Sequence, residues 1–441
     1  MTSTLLALAA ATTVGLAVSR FFTRGLARSE RAAWALACGL LIHAALYTAG
    51  ILLRLSPGPR KLLLAEAVLL AAALLLRRLG VREQTPSFSP NTSRALRLAF
   101  LAAAAAGALL FSLSALAEPI WATDFLAIWG LKGKTIFFAG GIPQALFRDP
   151  ALVWSHPEYP LFLPLLFASL AAFARDWNDR ALALLYPALH VGTILAAYGF
   201  LSRRVNRIAG AVAAALIGLF LPLYRSGHVG MADIPLAFGL VLLSCAFLDA
   251  REASSAPVQA RLALASLFCA ATKQEGLLFV VLLAATWLLA RRRVNTAGRA
   301  VTLAALLLPA ALHWVFLRAA RGPLSNRDFD RTLLAPGRWP ELFDRLGEVG
   351  VRILTVEGAG AAMALLAISA LLVSTRRGPE DLLLLPMATQ ILVYGAIGAL
   401  SSFGAVWLVQ ASFARIVSAL FPPLALVLGA RSGRLFERAA R

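Results

Sequence analysis

The side chains best suited to chemistry lie between Glu118 and Leu166, the longest polar-bearing interruption in a very apolar sequence. Asp124 follows a long apolar run and opens an amphipathic segment, 124–138. A carboxylate held at a membrane surface in this way could act as a general base on an acceptor hydroxyl. An aspartate in this position could equally be a helix cap that bonds free backbone N–H groups, so both roles are open at this point.

The segment 124–138 is predicted to lie in the membrane interface, with Lys132 and Lys134 directed toward headgroups or phosphate. Such a segment needs one apolar side to lie in the interface. That side would be formed by Phe125, Ile128, Trp129, Ile136 and Phe137.

A proline-flanked stretch, SHPEYPLFLP (155–164), follows in the same loop. The prolines on either side of Glu158 and Tyr159 predict a stiff, extended backbone. Glu158 and His156 are candidate contacts for an acceptor or a metal ion. A structural turn with a tyrosine at the membrane interface would give the same pattern.

A second polar turn, YRSGHVGMADIPLAFG (224–239), ends where Asp233 opens an apolar run. Arg225 and His228 add a cationic and a titratable neighbour. On spacing alone an N-cap role for Asp233 is favoured over a catalytic one.

A third turn, ATKQEGLLF (271–279), places Lys273 and Glu275 between two apolar runs. Charges at this depth are costly and usually face protein or water, although an ordinary hairpin loop would also explain them. Arg415 lies at the start of the last apolar run, where it could snorkel to the interface or bind a lipid phosphate.

The elements that must position these residues are membrane helices. The chain has 441 residues, 60% of them hydrophobic, and a mean hydropathy of +0.76. Apolar runs of about 17–25 residues recur from end to end. They predict an all-α polytopic membrane protein with about 13 transmembrane helices, at about 4–19, 33–53, 61–77, 95–117, 181–200, 207–223, 233–250, 260–272, 276–290, 299–318, 353–373, 382–400 and 413–430.

The apolar segment 160–174 barely reaches the length of a span and is predicted to be a re-entrant or surface-lying helix. With that assignment, the Arg-rich loops all fall on one side, which the positive-inside rule makes the cytoplasm. The net charge of +20 is therefore attributed to membrane topology and not to nucleic acid. The first apolar run lacks a basic n-region and a clean cleavage site, so it is expected to be a retained helix.

The opposite face collects about two thirds of the acidic residues, together with the long loop from Glu118. Because acidic residues contribute little to orientation, their one-sidedness indicates a functional site there. We expect an integral membrane protein whose active site lies on the extracytoplasmic face.

The order of these motifs resembles the GT-C membrane glycosyltransferases, most of all the bacterial branch related to protein O-mannosyltransferases and the lipid A aminoarabinose transferase. The shared features are a first-loop Asp before an aromatic amphipathic helix, a Tyr-Pro-Leu segment, an Asp that opens a span, and a Lys-x-Glu-Gly turn. The resemblance covers roughly 95–300, with support from Arg415, and the motifs are individually degenerate. It divides the chain into N-terminal helices (1–94), a GT-C-like catalytic core (95–300, with loop 118–160) and C-terminal helices (301–441, with loop 319–352).

The resemblance implies an integral protein of the bacterial inner membrane, with its active site facing the periplasm or exterior, and a polyprenyl-phosphate sugar as donor. It places a catalytic role on Asp124 and a supporting catalytic role on Asp233, and makes Lys273 and Arg415 candidates for the donor phosphate. A divalent metal ion could be a cofactor, with Asp124 and His228 as ligands. The chain departs from many relatives because Phe125 stands where a second acid is common, which puts metal dependence in question. It also has extra N-terminal spans and lacks a large C-terminal soluble domain.

The sequence therefore predicts an inverting glycosyltransferase that transfers a sugar to a cell-envelope acceptor, whether glycan, lipid or protein. The alternatives are a transporter or flippase of lipid-linked sugars, whose charges line a pathway, and a non-catalytic protein of the same fold. The predicted substrate-binding residues are Lys132, Lys134, His156, Glu158, Tyr159, Arg225, His228, Lys273, Glu275 and Arg415.

Overall fold

The computed structural model of the chain is 83% helical. It describes residues 1–77, 94–220, 229–290, 296–320, 329–355, 378–404, 407 and 412–439. Within these ranges there is no β-strand, and the isolated bridge between Phe329 and Ser401 joins two loops. The predicted all-α class is confirmed.

Fifteen helices of ten or more residues lie in the described ranges. They are α1 (Thr2–Ser19), α2 (Arg28–Leu52), α3 (Pro59–Arg77), α4 (Arg94–Ala117), α5 (Gly130–Ala139), α6 (Phe162–Ala174), α7 (Leu185–Arg204), α8 (Arg207–Gly218), α9 (Asp233–Ala250), α10 (Ala256–Thr272), α11 (Gln274–Leu289), α12 (Thr296–Ala320), α13 (Trp339–Thr355), α14 (Leu384–Ala399) and α15 (Phe421–Ala439).

Eight helical segments are long and apolar enough to cross a membrane, which supports the predicted membrane class. The predicted number of 13 is not confirmed. Three of the predicted spans, 207–223, 260–272 and 276–290, correspond to the shorter helices α8, α10 and α11, and a fourth, 61–77, corresponds to α3, which is not among the eight segments. Most of the fifth, 353–373, lies outside the described residues. The eight segments are Thr2–Ser19, Arg28–Leu52, Arg94–Ala117, Asp179–Arg204, Asp233–Ala250, Ala297–Ala319, Pro379–Ala399 and Ala414–Arg438.

Helix α6, the segment predicted to be re-entrant or surface-lying, is buried on nearly every side. It packs against α1, α2 and α5 and ends at Arg175, which adopts a left-handed conformation with φ of 58°. Its 13 residues extend about 20 Å, less than the hydrocarbon thickness of a bilayer. A surface-lying helix would leave one face exposed, so that alternative is wrong. The physical reason is that the segment has no polar face to present to water.

The frame around α6 relies on close backbone packing. A Cβ added to Gly15 of α1 would lie 1.9 Å from the carbonyl oxygen of Ala35 in α2, and one added to Gly39 would lie 2.1 Å from that of Ala11. Small residues let helices approach in this way where lipid supplies no hydrophobic force between them.

Helix α9 connects two clusters of ion pairs at its opposite ends. Asp233 at its first residue pairs with Lys273 and Arg415. Asp249, 16 positions later, pairs with Arg203, Arg204 and Arg261. A separation of that length corresponds to about 24 Å along a helix, and the side chains between the clusters are buried. The two ends of α9 therefore belong to two distinct polar faces of the helical body.

Candidate functional site

A network of five charged side chains lies at the Asp233 end of α9. Lys273 Nζ is 2.9 Å from Asp233 Oδ1 and 2.9 Å from Glu275 Oε1. Arg415 Nη1 is 2.8 Å from Asp124 Oδ2, and its Nε is 3.3 Å from Asp233 Oδ2. Asp233 is therefore the member shared by both cations. We refer to these five residues as the charge network.

Local backbone structure explains where the network residues lie. Lys273 is in an extended conformation (φ −159°, ψ 152°) at the break between α10 and α11. Asp233 is in the first turn of α9, where a helix favours a negative charge, but the N-cap position is Ala232. The N-cap interpretation of Asp233 is therefore wrong. Asp124 precedes a π-helical turn, and its side chain makes no capping hydrogen bond, so the cap alternative for Asp124 is not observed either.

Four network residues, Asp124, Lys273, Glu275 and Arg415, line a cavity of about 360 Å³ together with Tyr159. We call it the first cavity. Its remaining lining comes from α11, from α14 and from the loops around them, and much of it is apolar or aromatic. These residues are Gln274, Leu278, Phe329, Val393, Tyr394, Ile397, Gly398, Ser401, Phe403, Trp407, Ser412, Phe413 and Ile416.

The proline-flanked loop forms a stacked unit beside the first cavity. His156 Nδ1 is 3.0 Å from Glu158 Oε1. The His156 ring stacks on Tyr159, with centroids 4.4 Å apart, and Tyr159 stacks on Trp129 at 5.4 Å. Of these residues only Tyr159 lines the first cavity, and the rings of His156 and Trp129 stack on it.

Lys132 is completely buried, which contradicts the prediction that it faces headgroups. Its ammonium donates to the backbone carbonyl of His156 and lies 5.9 Å from the Tyr159 ring centroid. Lys134, two positions later, is exposed and does not line the first cavity. The apolar side of the segment also contacts protein, because Phe125 packs edge-on against Phe167 of α6 at 5.4 Å. The predicted apolar side of the segment is therefore buried against protein, while Leu126, Lys134 and Phe138 on its other side are exposed.

The charges in this loop are coupled to one another. Burial tends to raise the pKa of Glu158, but the hydrogen bond from His156 and the positive charges of His156 and Lys132 lower it overall. Burial lowers the pKa of Lys132 to about 7, although the Glu158 carboxylate opposes that shift. Lys132 therefore changes charge near neutral pH.

This gives a first prediction, for Lys132→Met. In the wild type, the unfolded chain binds more protons than the folded one between about pH 7 and the ordinary lysine pKa of about 10.4. Stability should therefore rise with pH through that window, by about 2 kcal/mol between about pH 7 and pH 9. Lys132→Met should lose this rise because the titrating group is gone. Unfolding of the detergent-solubilised protein at several pH values measures it. Lys134→Met is the control and should keep the wild-type slope, and equal slopes in both variants would contradict the assignment.

Two predicted site residues, Arg225 and His228, lie outside the described residues. Among the described ones, no group of three His, Cys, Asp or Glu side chains is arranged to hold a metal ion. Asp124, one of the two predicted metal ligands, pairs its carboxylate with Arg415.

The chain was compared with protein-family models, curated proteins and solved structures. No protein-family model matches the chain, and no curated protein and no solved structure is significantly similar to it. A functional assignment therefore rests on the geometry and chemistry of the charge network and the first cavity.

Several residues of this region escaped the sequence analysis. Gln390 of α14 is buried, and its amide is 3.1 Å from the Tyr394 hydroxyl and 3.3 Å from the carbonyl oxygen of Glu275. Arg415 also contacts Met231 Sδ at 3.0 Å. A glutamine inside an apolar run was a usable signal, because polar groups in membrane helices need protein partners. Met231 and Tyr394 carried no such signal.

Proposed function

We propose that this protein is a GT-C-like glycosyltransferase that moves a sugar from a polyprenyl-phosphate donor to a cell-envelope acceptor. The observation that carries the proposal is that Asp124, Lys273 and Arg415 line one cavity. Together with Glu275 they place two carboxylates and two cations in a chamber that also has apolar and aromatic walls. Such a chamber suits a ligand with a phosphate and an apolar chain.

The cations would stabilise the leaving group. When the bond between the anomeric carbon and the phosphate oxygen breaks, the departing polyprenyl phosphate gains negative charge. Lys273 and Arg415 would stabilise that charge through charge-assisted hydrogen bonds. Asp233 pairs with both of them and is completely buried, so we assign it a positioning role.

Asp124 would accept the proton of the acceptor hydroxyl. The acceptor oxygen then forms its bond to the anomeric carbon from the side opposite the phosphate, which inverts the configuration. Arg415 Nη1 lies 2.8 Å from the Asp124 carboxylate. A donor phosphate that bound Arg415 would compete with Asp124 for the guanidinium and free the carboxylate for proton transfer. Donor binding would thereby activate the base.

The donor prediction is tested with purified protein. It should consume a polyprenyl-phosphate sugar and release polyprenyl phosphate, while nucleotide sugars should give no product, because the lipid phosphate is the group that the cations bind. Product analysis by mass spectrometry measures both reactions, and boiled protein is the control. Turnover of a nucleotide sugar without lipid carrier would refute the proposal. Donor binding without turnover, with a range of acceptors, would favour the flippase or the non-catalytic protein.

We further propose that the chain lies in the bacterial inner membrane with the first cavity at the periplasmic or outer face. The proposal is supported by the end of α9 opposite the charge network. Asp249 lies at that end and pairs with Arg203, Arg204 and Arg261. Those arginines flank the short loops that the positive-inside rule assigns to the cytoplasm.

Reporter fusions test this orientation. Fusions after residues 140 and 335 should report an external location, and a fusion after residue 255 should report the cytoplasm, because the intervening helices separate these loops. Alkaline phosphatase and a fluorescent protein serve as the paired reporters. A cytoplasmic signal at residue 140 would remove the first cavity from the outer face.

A further inference from the structure

A second cavity, of about 260 Å³, lies on the other side of the α11 N-terminus. It is bounded by the loop at Glu158 and Pro160, by α10 and α11, and by one side of α12. Its polar lining residues are Glu158, Gln274, His313 and Arg318, and its other lining includes Trp314 and Leu317.

The polar residues of this second cavity are incompletely satisfied. Glu158 bonds His156 through Oε1, while its Oε2 is buried and has no hydrogen-bond partner. His313 Nε2 is likewise buried without a partner. Unpaired buried polar atoms cost free energy, so two of them around one cavity indicate that a ligand or water completes their hydrogen bonds.

The remaining lining narrows the ligand class. Gln274 offers an amide donor and an acceptor, and Arg318 offers a guanidinium that lies 5.1 Å from the Trp314 ring centroid. The wall thus contains a carboxylate, a cation and neutral polar groups, along with the apolar surface of Trp314. The Glu158 carboxylate would repel an anionic ligand, and the Arg318 guanidinium would repel a cationic one. A neutral ligand with several hydroxyl groups can form hydrogen bonds with both side chains.

We infer that the second cavity binds a neutral pyranose ring through Glu158, Gln274 and His313, with Trp314 against its C–H surface. Identifying that ring as part of the acceptor rests on the proposed function. Gln274 lines both cavities, and its Nε2 is 3.3 Å from the carbonyl oxygen of Glu158. Tyr159, the next residue along the chain, lines the first cavity. A ring bound in the second cavity therefore lies directly beside the chamber of Asp124.

Cysteine protection tests binding without requiring turnover. Leu317→Cys places a thiol in the second cavity, and Ser412→Cys places one in the first. The native cysteines Cys38, Cys245 and Cys269 are buried, so background labelling by a water-soluble thiol reagent should be low. The probes are the methyl pyranosides of glucose, galactose, mannose and N-acetylglucosamine, with sorbitol as an open-chain polyol. Farnesyl phosphate is the probe for the first cavity.

At least one methyl pyranoside should slow alkylation of Leu317→Cys, by about tenfold at about ten times its dissociation constant, and should leave Ser412→Cys unaffected. Adding Glu158→Gln or Gln274→Ala to Leu317→Cys should abolish this protection. Glu118→Gln, the same change at an exposed acid that bonds Trp121, should preserve it. As a check that the fold is intact, farnesyl phosphate should still protect Ser412→Cys when Glu158→Gln or Glu118→Gln is added to that variant.

The inference is overturned if no pyranoside protects Leu317→Cys, or if sorbitol or farnesyl phosphate protects it equally well. It is also overturned if Glu118→Gln removes protection as fully as Glu158→Gln does. Failure of farnesyl phosphate to protect Ser412→Cys in the otherwise unchanged protein would instead count against the proposed donor, so the two proposals fail separately.

Discussion

Asp124→Asn is expected to lower turnover by about 10²- to 10⁴-fold, the usual contribution of a general base. The amide keeps the shape of the side chain and can still accept a hydrogen bond from Arg415, but it cannot take the acceptor proton. Donor affinity should be unchanged or higher, because the variant no longer holds the guanidinium with a negative charge. Turnover with both substrates saturating, together with equilibrium binding of the donor lipid, measures the two effects.

Asp149→Asn is the matched control for this variant. Asp149 lies in the same loop, and its Oδ1 accepts a hydrogen bond from the backbone N–H of Ala151 at the start of a 3₁₀ helix, Pro150–Ser155. Asparagine caps a helix about as well as aspartate, so this variant should behave like the wild type. If Asp124→Asn also retained wild-type turnover, the base would have to be Asp233 or Glu158, or lie outside this loop.

The fold was largely predictable because the dominant signal is local. An apolar run of suitable length must form a helix in lipid, whatever the rest of the chain does. The helices at Arg28–Leu52 and Arg94–Ala117 follow from that rule. The environment of α6 did not follow, because its depth depends on which helices surround it, and hydropathy contains no information on neighbours.

The candidate site was predictable as a set of residues but not as an arrangement. Asp124, Asp233, Lys273 and Arg415 stand out because each is a charge at the edge of an apolar run. Their pairing could not be read from the sequence, since Arg415 and Asp124 are 291 positions apart. Pairing over such distances is decided by the packing of the whole body of helices.

The prediction that Lys132 is exposed was wrong for a different reason. It lies on the polar side of its segment, and periodicity therefore predicted an exposed side chain. The carbonyl of His156 and the ring of Tyr159 cover it, and both belong to a loop more than 20 residues away. A periodic pattern reports the chemical character of a helix face, but not whether a loop folds over it.

Asp233→Asn is expected to destabilise the protein by about 3–5 kcal/mol, the usual effect of removing one partner of a buried ion pair. Lys273 and Arg415 would each lose the nearby Asp233 carboxylate, while Glu275 would remain as a partner of Lys273. Turnover should fall less than in Asp124→Asn if Asp233 only positions the cations. Denaturant or thermal unfolding in detergent measures the loss of stability. The control is Glu341→Gln. It removes two surface ion pairs, with Arg338 and Arg345, and should leave stability near that of the wild type.

A double-mutant cycle then separates a structural defect from an electrostatic one. The double variant adds Lys273→Met to Asp233→Asn. It thereby removes the cation that has lost one of its two carboxylate partners. If the cost arises from that buried charge, the double variant should be more stable than the sum of the two single effects predicts, by about 1–3 kcal/mol. Additive effects would mean that Asp233 stabilises the fold through contacts that do not involve Lys273. The double variant should in either case lose donor affinity, because Lys273 is one of the two cations assigned to the phosphate. Recovery of stability together with loss of donor affinity is therefore the combined result expected if Asp233 is a positioning carboxylate.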